Sequence, residues 1–333
     1  MPKGIRFHKL GGPEVLEVQD VTVREPGTGE VALRVEAVGL NRAESMYYHG
    51  HYMEQPELPS GLGYEAVGVV TAVGPDGDKA LIGKRFGTVP GFSMNRFPAL
   101  AEEAVVPANS LAALPESLSS VEGAAVWMQY MTAYGALVYF GKVKKNDFVI
   151  ITAASSSVGL AAIQIVKAEG GKAIATTRTS AKKDELLALG ADYVIATNEE
   201  DLPARVQEIT GGKGARIIFD PVGGPYVETL AQAAANEGIL FQYGWLSLQP
   251  TPFPLFTALG KGLSVTGYTL HQISARAEVL EQAKGYIFDR LADGRFKPKV
   301  AKTFPLAQTQ EAYHFLESNQ QVGKVVIEVS QRS

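Results

Sequence analysis

The stretch from Lys145 to Gly170 constrains the fold of this chain more than any other. It begins with an unbroken apolar run over 148–151, continues through small residues over 153–157, and becomes amphipathic over 158–168. Such a run is typical of a parallel strand buried on both faces, and the change to helical spacing indicates a following helix. Free N–H groups and the helix dipole favour phosphate at a helix N-terminus, so the stretch predicts an anion-binding site.

The small residues match a dinucleotide-binding loop only in part. In the pattern G-x-G-x-x-G the glycine positions fall on Ala154, Ser156 and Gly159, so only the last glycine remains. Ala and Ser can replace Gly where the turn keeps a negative φ, and serine hydroxyls can donate to phosphate. A second strand is predicted over 172–177, which completes a strand–helix–strand unit of about 30 residues. We therefore predict a dinucleotide site in this turn.

A nucleophile elbow is the alternative interpretation of the same serines. Ser157 has Ser155 and Gly159 two residues away on its two sides, which resembles the turn that carries a hydrolase serine. Asp220 and His271 follow in the hydrolase order Ser, Asp, His. However, the usual motif has Gly at the first flank, and a phosphate-binding turn explains three serines without a triad. We therefore favour the nucleotide site.

The residues after the second predicted strand favour NADP(H) over NAD(H). An NAD site places a carboxylate about 20 residues past the glycines, on the ribose 2′-hydroxyl. Here Thr177, Arg178 and Lys182 occupy this segment, and no carboxylate appears before Asp184. Hydroxyls and an arginine fork suit a 2′-phosphate, because they supply charge-assisted and bidentate hydrogen bonds. The alternative is that Arg178 and Lys182 only form a solvated loop and helix start.

Length and composition limit the function classes. A chain of 333 residues can bury a large core and is long enough for two domains. The net charge of −4 does not favour a nucleic-acid-binding protein, which typically has a basic surface. No apolar run is long enough for a transmembrane helix. The N-terminal residues lack a signal-peptide core, so a cytoplasmic location is expected. The absence of cysteine excludes disulfides, thiolate nucleophiles and thiolate-ligated zinc.

The strand and helix patterns divide the chain into two kinds of segment. Residues 1–120 contain short β-branched and apolar runs between glycine and proline, which predicts a partly closed β-barrel. Strand and helix patterns alternate over 121–269, which predicts a doubly wound parallel sheet with its ligand beyond the carboxyl ends of the strands. Strand patterns return within 270–333, so we expect this tail to pack on the first domain.

The order of motifs resembles the medium-chain dehydrogenase/reductase superfamily, and within it the zinc-free (zeta-crystallin-like) quinone oxidoreductase group. The resemblance spans nearly the whole chain and rests on GLNRAE (39–44), GYEAVGVVTAVG (63–74), AASSSVGLAAIQI (153–165), FDPVGG (219–224) and GKVVIEV (323–329). It implies an α/β protein with a GroES-like barrel domain and a Rossmann domain that binds NADP(H). It also implies a homodimer, commonly built through the last Rossmann strands.

The zinc-ligand positions of that superfamily carry other residues in this chain. Zinc-dependent members use Cys, His and Cys, and the matching positions here are Asn41, Tyr64 and Met128. None of these is a usual zinc ligand at such a site, and no metal-binding residue is predicted. The resemblance therefore implies a zinc-independent reductase. Without a Lewis acid to polarise an alcohol or aldehyde, the expected hydride acceptor is a quinone or an alkene conjugated to a carbonyl.

The resemblance also assigns roles to individual residues. Tyr52 matches a loop tyrosine of quinone and enoyl reductases and is the leading proton-donor candidate, with Tyr47 and Tyr64 as weaker ones and water as the alternative source. Asn41 is expected to hydrogen-bond cofactor or substrate. Met46 stands where the family often has another tyrosine, which indicates a more apolar pocket. The further cofactor-binding candidates are Thr132, Ser156, Ser157, Val158, Gly159, Tyr193, Tyr243, Gly244, Trp245, Leu246 and Lys324.

Two other functions stay open at this point. One is an enoyl-thioester (enoyl-CoA or enoyl-ACP) reductase, which would need a surface for its carrier, and the sequence has no strong basic cluster for one. The other is an NADPH-binding protein with little turnover. The expected partners are therefore a small-molecule quinone or enone and a second copy of the chain, with neither nucleic acid nor membrane among them.

Overall fold

The structure, a computed structural model, describes residues 1–329, which divide into two units. One unit consists of Met1–Met128 together with the chain from Ser274 onward, and the other is Gln129–Ile273. The sequence pattern places the domain boundaries at 120/121 and 269/270, a few residues before the boundaries of the two units. Within the described range, no helix combines the length and apolarity needed to cross a membrane.

The elements are numbered along the whole described chain. The strands are β1 (Lys3–Arg6), β2 (Glu17–Asp20), β3 (Glu30–Gly39), β4 (Glu65–Val73), β5 (Arg85–Thr88), β6 (Glu103–Pro107), β7 (Leu111–Ala112), β8 (Phe148–Ile151), β9 (Lys172–Thr177), β10 (Tyr193–Ala196), β11 (Ala215–Asp220), β12 (Ala234–Gln242), β13 (Ser264–Gly267), β14 (Val300–Pro305) and β15 (Lys324–Glu328). The helices are α1 (Arg42–Tyr48), α2 (Ser120–Gly123), α3 (Trp127–Tyr134), α4 (Ser157–Ala168), α5 (Lys183–Ala188), α6 (Leu202–Thr210), α7 (Val227–Ala233), α8 (Leu255–Lys261), α9 (His271–Ser274), α10 (Ala277–Ala292) and α11 (Thr309–Glu317).

The first unit is organised around β3, a strand of 10 residues. It lies within a seven-stranded sheet in the order β14-β15-β3-β4-β5-β7, and β6 also pairs with β3. These pairings are antiparallel except for the parallel pair of β14 and β15. Val326 of β15 lies opposite Gly39 of β3, so the tail shares a sheet with the N-terminal strands. This arrangement brings residues from both ends of the chain into one core.

The second unit contains a six-stranded parallel sheet in the order β10-β9-β8-β11-β12-β13. Val149, Ile150 and Ile151 of β8 have no exposed surface, which confirms the predicted central strand. The chain builds outward from β8 through β9 and β10, and then from β11 through β12 and β13 on the other side. This is the order of a dinucleotide-binding sheet, whose ligand lies at the carboxyl ends where the direction reverses. That switch point lies between β8 and β11.

One element differs from its sequence pattern. The pattern over 118–140 predicts one continuous helix with a serine cap, and its continuity is wrong. Ser119 does cap α2, but α2 ends within about one turn and α3 starts separately. The backbone N–H groups of Val126 and Met128 instead donate to the buried carboxylate of Glu65, each at 3.0 Å. A partner distant in sequence therefore interrupts the helix, and a local pattern carries no sign of such a partner.

Candidate active site

The small-residue turn after β8 has the geometry that a phosphate loop requires. Ser156 is the N-cap of α4 with φ −69°, and its Oγ accepts a hydrogen bond from the N–H of Gly159 at 3.1 Å. A Cβ at Gly159 would lie 2.6 Å from backbone atoms of Ala154. Gly159, the one motif glycine present in this chain, is therefore the one that close helix–strand packing requires. Ala153, one residue before the motif, has a left-handed backbone conformation with φ +46°.

Side chains join the carboxyl ends of β8 and β11 at the switch point. The Oγ1 of Thr152 donates a hydrogen bond to the carboxylate of Asp220, which has no exposed surface. The same carboxylate accepts hydrogen bonds from the N–H groups of Val222 at 3.2 Å and Gly223 at 2.8 Å. A buried carboxylate with several hydrogen-bond donors holds this turn in one conformation. The turn therefore forms a rigid border at the predicted ligand position.

The hydrolase triad does not form. Ser157 is the first residue of α4, and His271 is exposed at the first position of α9. Within the described chain, Asp220 accepts its hydrogen bonds from a threonine hydroxyl and two backbone N–H groups, and none from histidine. A nucleophilic serine needs a base that a carboxylate orients, and this arrangement supplies none. The alternative interpretation of the serines is therefore wrong.

The loop after β12 packs tightly against the turn after β11. A Cβ at Gly244 would lie 2.7 Å from the carbonyl oxygen of Pro221, so this approach requires glycine. The N–H of Leu246 donates to the same carbonyl at 3.0 Å. The ring of Tyr243 stacks on Phe219 with 3.9 Å between ring centroids, and its buried hydroxyl has no hydrogen-bond partner among the described residues. This predicted cofactor segment therefore lies at the carboxyl edge of the sheet.

Positive charge gathers beside the phosphate loop. Lys182 donates from Nζ to the Oγ of Ser155 at 3.2 Å, which places its ammonium at the turn. Burial, and then the nearby guanidinium of Arg178, lower the pKa of Lys182. Arg178 is exposed and follows Thr177, the last residue of β9. Tyr193, the first residue of β10, is 37% exposed, so its ring is available to a ligand. In the sequence, no carboxylate stands between Thr177, the last residue of β9, and Asp184.

The remaining candidates of this unit differ in accessibility. Thr132 lies in α3 and is 7% exposed. Trp245 is 37% exposed, and its Nε1 donates to the carbonyl oxygen of Gln249 at 2.6 Å, which folds the loop back on itself. Ser157 and Val158 are the first two residues of α4 and are both half-buried. Their backbone N–H groups are among those that a helix N-terminus leaves available.

Asn41 and Lys324 of the first unit belong to one buried cluster. The Nζ of Lys324 donates to Oδ1 of Asn41 and to Oε2 of Glu65, both at 2.5 Å. Lys324 is 1% exposed and Glu65 is not exposed at all. The Nδ2 of Asn41 donates to the carbonyl oxygen of Gly39 at 3.0 Å. Lys324 is thus placed in an internal ion pair, away from any surface.

Glu44 is a second buried carboxylate beside this cluster. It accepts hydrogen bonds from the backbone N–H of Asn41 and from that of Tyr64 at 3.2 Å. Burial raises the pKa of Glu44 to about 7, although Lys324 and the hydrogen bonds from Asn41 act in the opposite direction. Neither Glu44 nor Glu65 is singled out by the sequence pattern. The available signal is that Glu65 and Lys324, of opposite charge, each begin a strand and stand directly before an apolar run.

The two weaker proton-donor candidates lie in the same unit as Tyr52. Tyr52 is half-buried in the loop after α1, and its ring meets Tyr64 edge to face with 6.5 Å between centroids. Burial raises the pKa of Tyr52, so the phenol keeps its proton at neutral pH. The hydroxyl of Tyr47 instead donates to Oδ1 of Asn95 at 2.6 Å and lies 2.8 Å from Oγ of Ser60. Of the two weaker candidates, Tyr64 therefore lies against Tyr52 and Tyr47 is engaged elsewhere.

The side chains present do not fit a zinc site. Within residues 1–329, no three histidine, aspartate or glutamate side chains come together in a group that could hold a metal ion. At the superfamily's ligand positions, the amide oxygen of Asn41 already accepts from Lys324, while Tyr64 and Met128 supply a phenol and a thioether. An ammonium group in this cluster also repels a metal cation.

Comparison with known proteins decides the family. Residues 27–116 match the alcohol dehydrogenase GroES-like domain, and residues 157–284 match the zinc-binding dehydrogenase domain. Quinone oxidoreductase 1 of Escherichia coli strain K12 is 33% identical over 98% of this chain and 99% of its own length. The chain belongs to the quinone oxidoreductase group of the medium-chain dehydrogenase/reductase superfamily. The resemblance and the oxidoreductase class expected from the sequence are thereby confirmed.

The chain is also similar to a solved quinone oxidoreductase and to a reductase of a different name. The crystal structure of Escherichia coli quinone oxidoreductase complexed with NADPH superimposes with a TM-score of 0.89 at 33% identity, covering 98% of this chain and 99% of that one. The predicted fold, a GroES-like domain plus a Rossmann domain, is confirmed. A 2-haloacrylate reductase of Burkholderia sp is 31% identical over 96% of this chain and 97% of its own length. The cofactor predicted for this chain is the one bound in the solved relative.

Proposed function

We propose that this protein is an NADPH-dependent oxidoreductase that transfers hydride to a quinone or an α,β-unsaturated carbonyl without zinc. The observation that carries the proposal is the buried cluster of Asn41, Lys324 and Glu65. The one side-chain oxygen at the first zinc-ligand position accepts from an ammonium group, and a carboxylate balances that charge. A fixed internal cation leaves no place for the metal ion that would polarise a simple alcohol or aldehyde, whereas conjugated acceptors need none.

The chain's own residues would orient the acceptor and manage its proton. Bound NADPH would supply the hydride, which is chemistry of the cofactor rather than of the protein. We assign Tyr52 as the proton donor, because its half-buried phenol stays protonated at neutral pH. We assign the side chain of Asn41, which is 7% exposed, to a hydrogen bond with the cofactor or the acceptor.

The assignment of NADPH is supported by the charges beside the phosphate loop. Arg178 and Lys182 follow β9, and Lys182 reaches Ser155 in the loop itself. A 2′-phosphate would accept charge-assisted hydrogen bonds from these neighbouring cations. Ser156, Ser157, Val158 and Gly159 would then bind the pyrophosphate at the N-terminus of α4.

The cofactor assignment predicts a change of specificity in Arg178→Asp. The new carboxylate would repel a 2′-phosphate and accept from a ribose 2′-hydroxyl, so the ratio of kcat/KM for NADPH to that for NADH should fall at least about tenfold. Steady-state oxidation of both cofactors measures this ratio, with Lys213→Asp on an exposed loop of the same unit as the matched control. An unchanged ratio would remove Arg178 from the cofactor site.

The acceptor class is supported by the relatives. A 2-haloacrylate contains an alkene conjugated to a carboxylate, and quinones are conjugated carbonyls, so the names of both relatives denote activated acceptors. The decisive test is anaerobic oxidation of NADPH with a para-quinone and with an α,β-unsaturated ketone in parallel. Turnover of either that persists after chelator treatment, with no zinc in the purified protein by elemental analysis, supports the proposal. A loss of activity on chelation that zinc restores would overturn its zinc independence.

We also propose that the enzyme is a homodimer that pairs through the sheet of the second unit. Strand β13 is an edge of the sheet, and three of its four residues are exposed. The preceding helix α8 carries Phe256 at 86% and Leu259 at 71% exposure. Open strand edges and clustered apolar side chains are features that a second protein chain covers.

A further inference from the structure

The side-chain amide of Gln242 joins the two turns that follow β11 and β12. Its Nε2 donates to the carbonyl oxygen of Asp220, the last residue of β11, and to that of Gly244, each at 3.0 Å. Gln242 itself ends β12. Two carbonyl acceptors also fix the orientation of the amide, because only its nitrogen can donate. One side chain therefore links the start of the β11 turn (221–224) to the β12 loop (243–249).

Backbone hydrogen bonds continue this link beyond the strands. The N–H of Leu246 donates to the carbonyl oxygen of Pro221 at 3.0 Å. The next N–H, that of Ser247, donates to the carbonyl oxygen of Val222 at 2.9 Å. Neither segment is a strand at this point, yet successive residues pair as they do in a sheet. The β12 loop therefore lies along the β11 turn, and Gln242 joins the two segments where the strands end.

The β11 turn is also tied to the strand on the other side of β11. The carboxylate of Asp220 accepts a hydrogen bond from Oγ1 of Thr152, which directly follows β8, and from two N–H groups of the turn. Asp220 thus uses its side chain toward β8 and its carbonyl oxygen toward Gln242 of β12. β8, β11 and β12 are adjacent in the sheet. Side chains therefore join the carboxyl ends of all three strands.

The sheet order determines which half of a dinucleotide these turns would meet. In the proposed function, Arg178 and Lys182 after β9 bind the 2′-phosphate, and the N-terminus of α4 after β8 binds the pyrophosphate. A dinucleotide lies across the carboxyl ends of the strands, and the order runs from β9 through β8 to β11 and β12. The half beyond the pyrophosphate, which carries the nicotinamide, therefore extends toward the β11 turn and the β12 loop.

We propose that Gln242 is a positioning residue for the nicotinamide half of NADPH, because its amide holds the β12 loop against the β11 turn. The inference rests on the proposed function, in which NADPH is the hydride donor. Gln242 acts through the carbonyl groups of Asp220 and Gly244 rather than by touching the cofactor. A loop that is already ordered costs less free energy when a ligand binds against it. The ring that transfers hydride also needs a fixed wall to keep its distance to the acceptor.

Gln242 is poorly suited to a purely stabilising role. Its Oε1 is buried and accepts no hydrogen bond from the residues that the structure describes. A buried acceptor without a partner costs free energy, which offsets part of what the two donated hydrogen bonds contribute. An unbranched apolar side chain of similar length removes the two bonds and this cost together. Gln242→Met should therefore fold with nearly unchanged stability, so that an effect on cofactor binding can be measured by itself.

The test compares NADPH with adenosine 2′,5′-bisphosphate, a fragment that lacks the nicotinamide half. In Gln242→Met the Kd for NADPH should rise about tenfold, the effect of two lost neutral hydrogen bonds. The Kd for the fragment should stay within about twofold of the wild-type value. Isothermal titration calorimetry measures both constants. Gln164→Met is the matched control and should change neither, because this half-buried glutamine of the same unit accepts from the hydroxyl of Tyr130 instead.

A second readout needs neither cofactor nor turnover. The chain has two tryptophans, of which Trp127 is 1% exposed and Trp245, in the β12 loop, is 37% exposed. In a Trp127→Phe background, the fluorescence of Trp245 therefore reports on the loop. When Gln242→Met is added, quenching of this fluorescence by acrylamide should increase and its anisotropy should fall. Gln242→Leu provides both comparisons if the methionine variant is unstable.

The outcomes separate this inference from the proposed function. A rise in the Kd for NADPH alone, with stronger quenching of Trp245, supports the inference. Equal changes in both dissociation constants, no change in either, or unchanged quenching would overturn it, as would a wild-type protein that binds NADPH no more tightly than the fragment. If the wild-type protein binds NADPH but turns over neither a quinone nor an enone, the proposed function fails, while the two dissociation constants still decide the role of Gln242.

Discussion

Glu44 is a carboxylate without exposed surface that accepts hydrogen bonds from the backbone N–H groups of Asn41 and Tyr64. Its position follows from the start of α1, where a carboxylate can reach back to the N-cap N–H of Asn41. Burial changes the consequence of this common motif, because it raises the pKa of Glu44 from 4.5 to about 7. The same residue type at an exposed cap would stay ionised throughout the physiological range.

A pH dependence of stability follows for Glu44. Between pH 4.5 and about 7 the folded protein retains a proton that the unfolded chain has lost, so the free energy of unfolding should fall as the pH rises through this window. The loss due to this group is about 3 kcal/mol. Glu44→Gln should be less stable than the wild type at low pH, since the amide has one acceptor oxygen for two backbone N–H donors. Its unfolding free energy should not show the fall with rising pH that is due to Glu44.

Urea unfolding between about pH 5 and 8 measures the effect in both proteins. The other carboxylates titrate alike in the two, so subtraction of one curve from the other isolates Glu44. A difference in unfolding free energy between wild type and Glu44→Gln that does not vary with pH would show that Glu44 is ionised across the range.

The ion pair of Lys324 and Glu65 depends on how three strands lie side by side. β15 and β4 flank β3 in the sheet, and each of the two outer strands begins with one of the charged residues. A Cβ at Gly39, the last residue of β3, would lie 2.7 Å from Cε of Lys324. The lysine side chain thus passes over a glycine to reach its partner. The sheet order, rather than either strand alone, creates the pair.

Removal of the Lys324 cation should lower the free energy of unfolding, and a second substitution at Glu65 should restore most of it. Lys324→Met leaves Glu65 buried and unpaired, and should lower the free energy of unfolding by about 3–5 kcal/mol. Adding Glu65→Gln removes that charge, while Oε1 can still accept the N–H groups of Val126 and Met128. The double variant should therefore regain most of the loss in chemical denaturation. Additive losses would mean that the two side chains do not interact.

The assembled enzyme is expected to cover the edge formed by β13 and α8. Phe256 is 86% exposed on α8, and Leu259 lies one turn further along the same helix. Side chains of this size and exposure are stable on a soluble protein chiefly when a partner buries them. The exposed residues of α8 and the edge strand β13 both belong to the second unit, so we expect that unit to associate with the same unit of a second chain.

Phe256→Glu should therefore weaken the dimer. A charge at the centre of an apolar contact loses the burial of the ring and adds desolvation of the carboxylate, so the dissociation constant should rise at least about a hundredfold. Sedimentation velocity across a concentration series measures the change. Ile82→Glu, at a 46% exposed position of the other unit, is the control and should leave the dimer intact. A wild-type protein that is monomeric at all concentrations would contradict the proposed homodimer.

Much of the architecture could be predicted because its signals are local. The buried run at 148–151, the small-residue turn and the alternation of strands and helices are each visible in a short window, and they indicate a doubly wound sheet. The motif glycine at 159 is likewise needed for local helix–strand packing. The helix expected over 118–140 is wrong in its continuity, because a distant carboxylate takes its N–H groups.

The amino-acid sequence by itself determined the order of elements, the family and the residue types at the predicted site. Only the tertiary structure decided what those residues touch. Lys324 lies 259 positions from Glu65 and 283 from Asn41, and no window of sequence shows that their charges meet. The same holds for Tyr64 beside Tyr52. Burial sets the pKa of a side chain and the strength of its hydrogen bonds, and burial is a property of the packed chain.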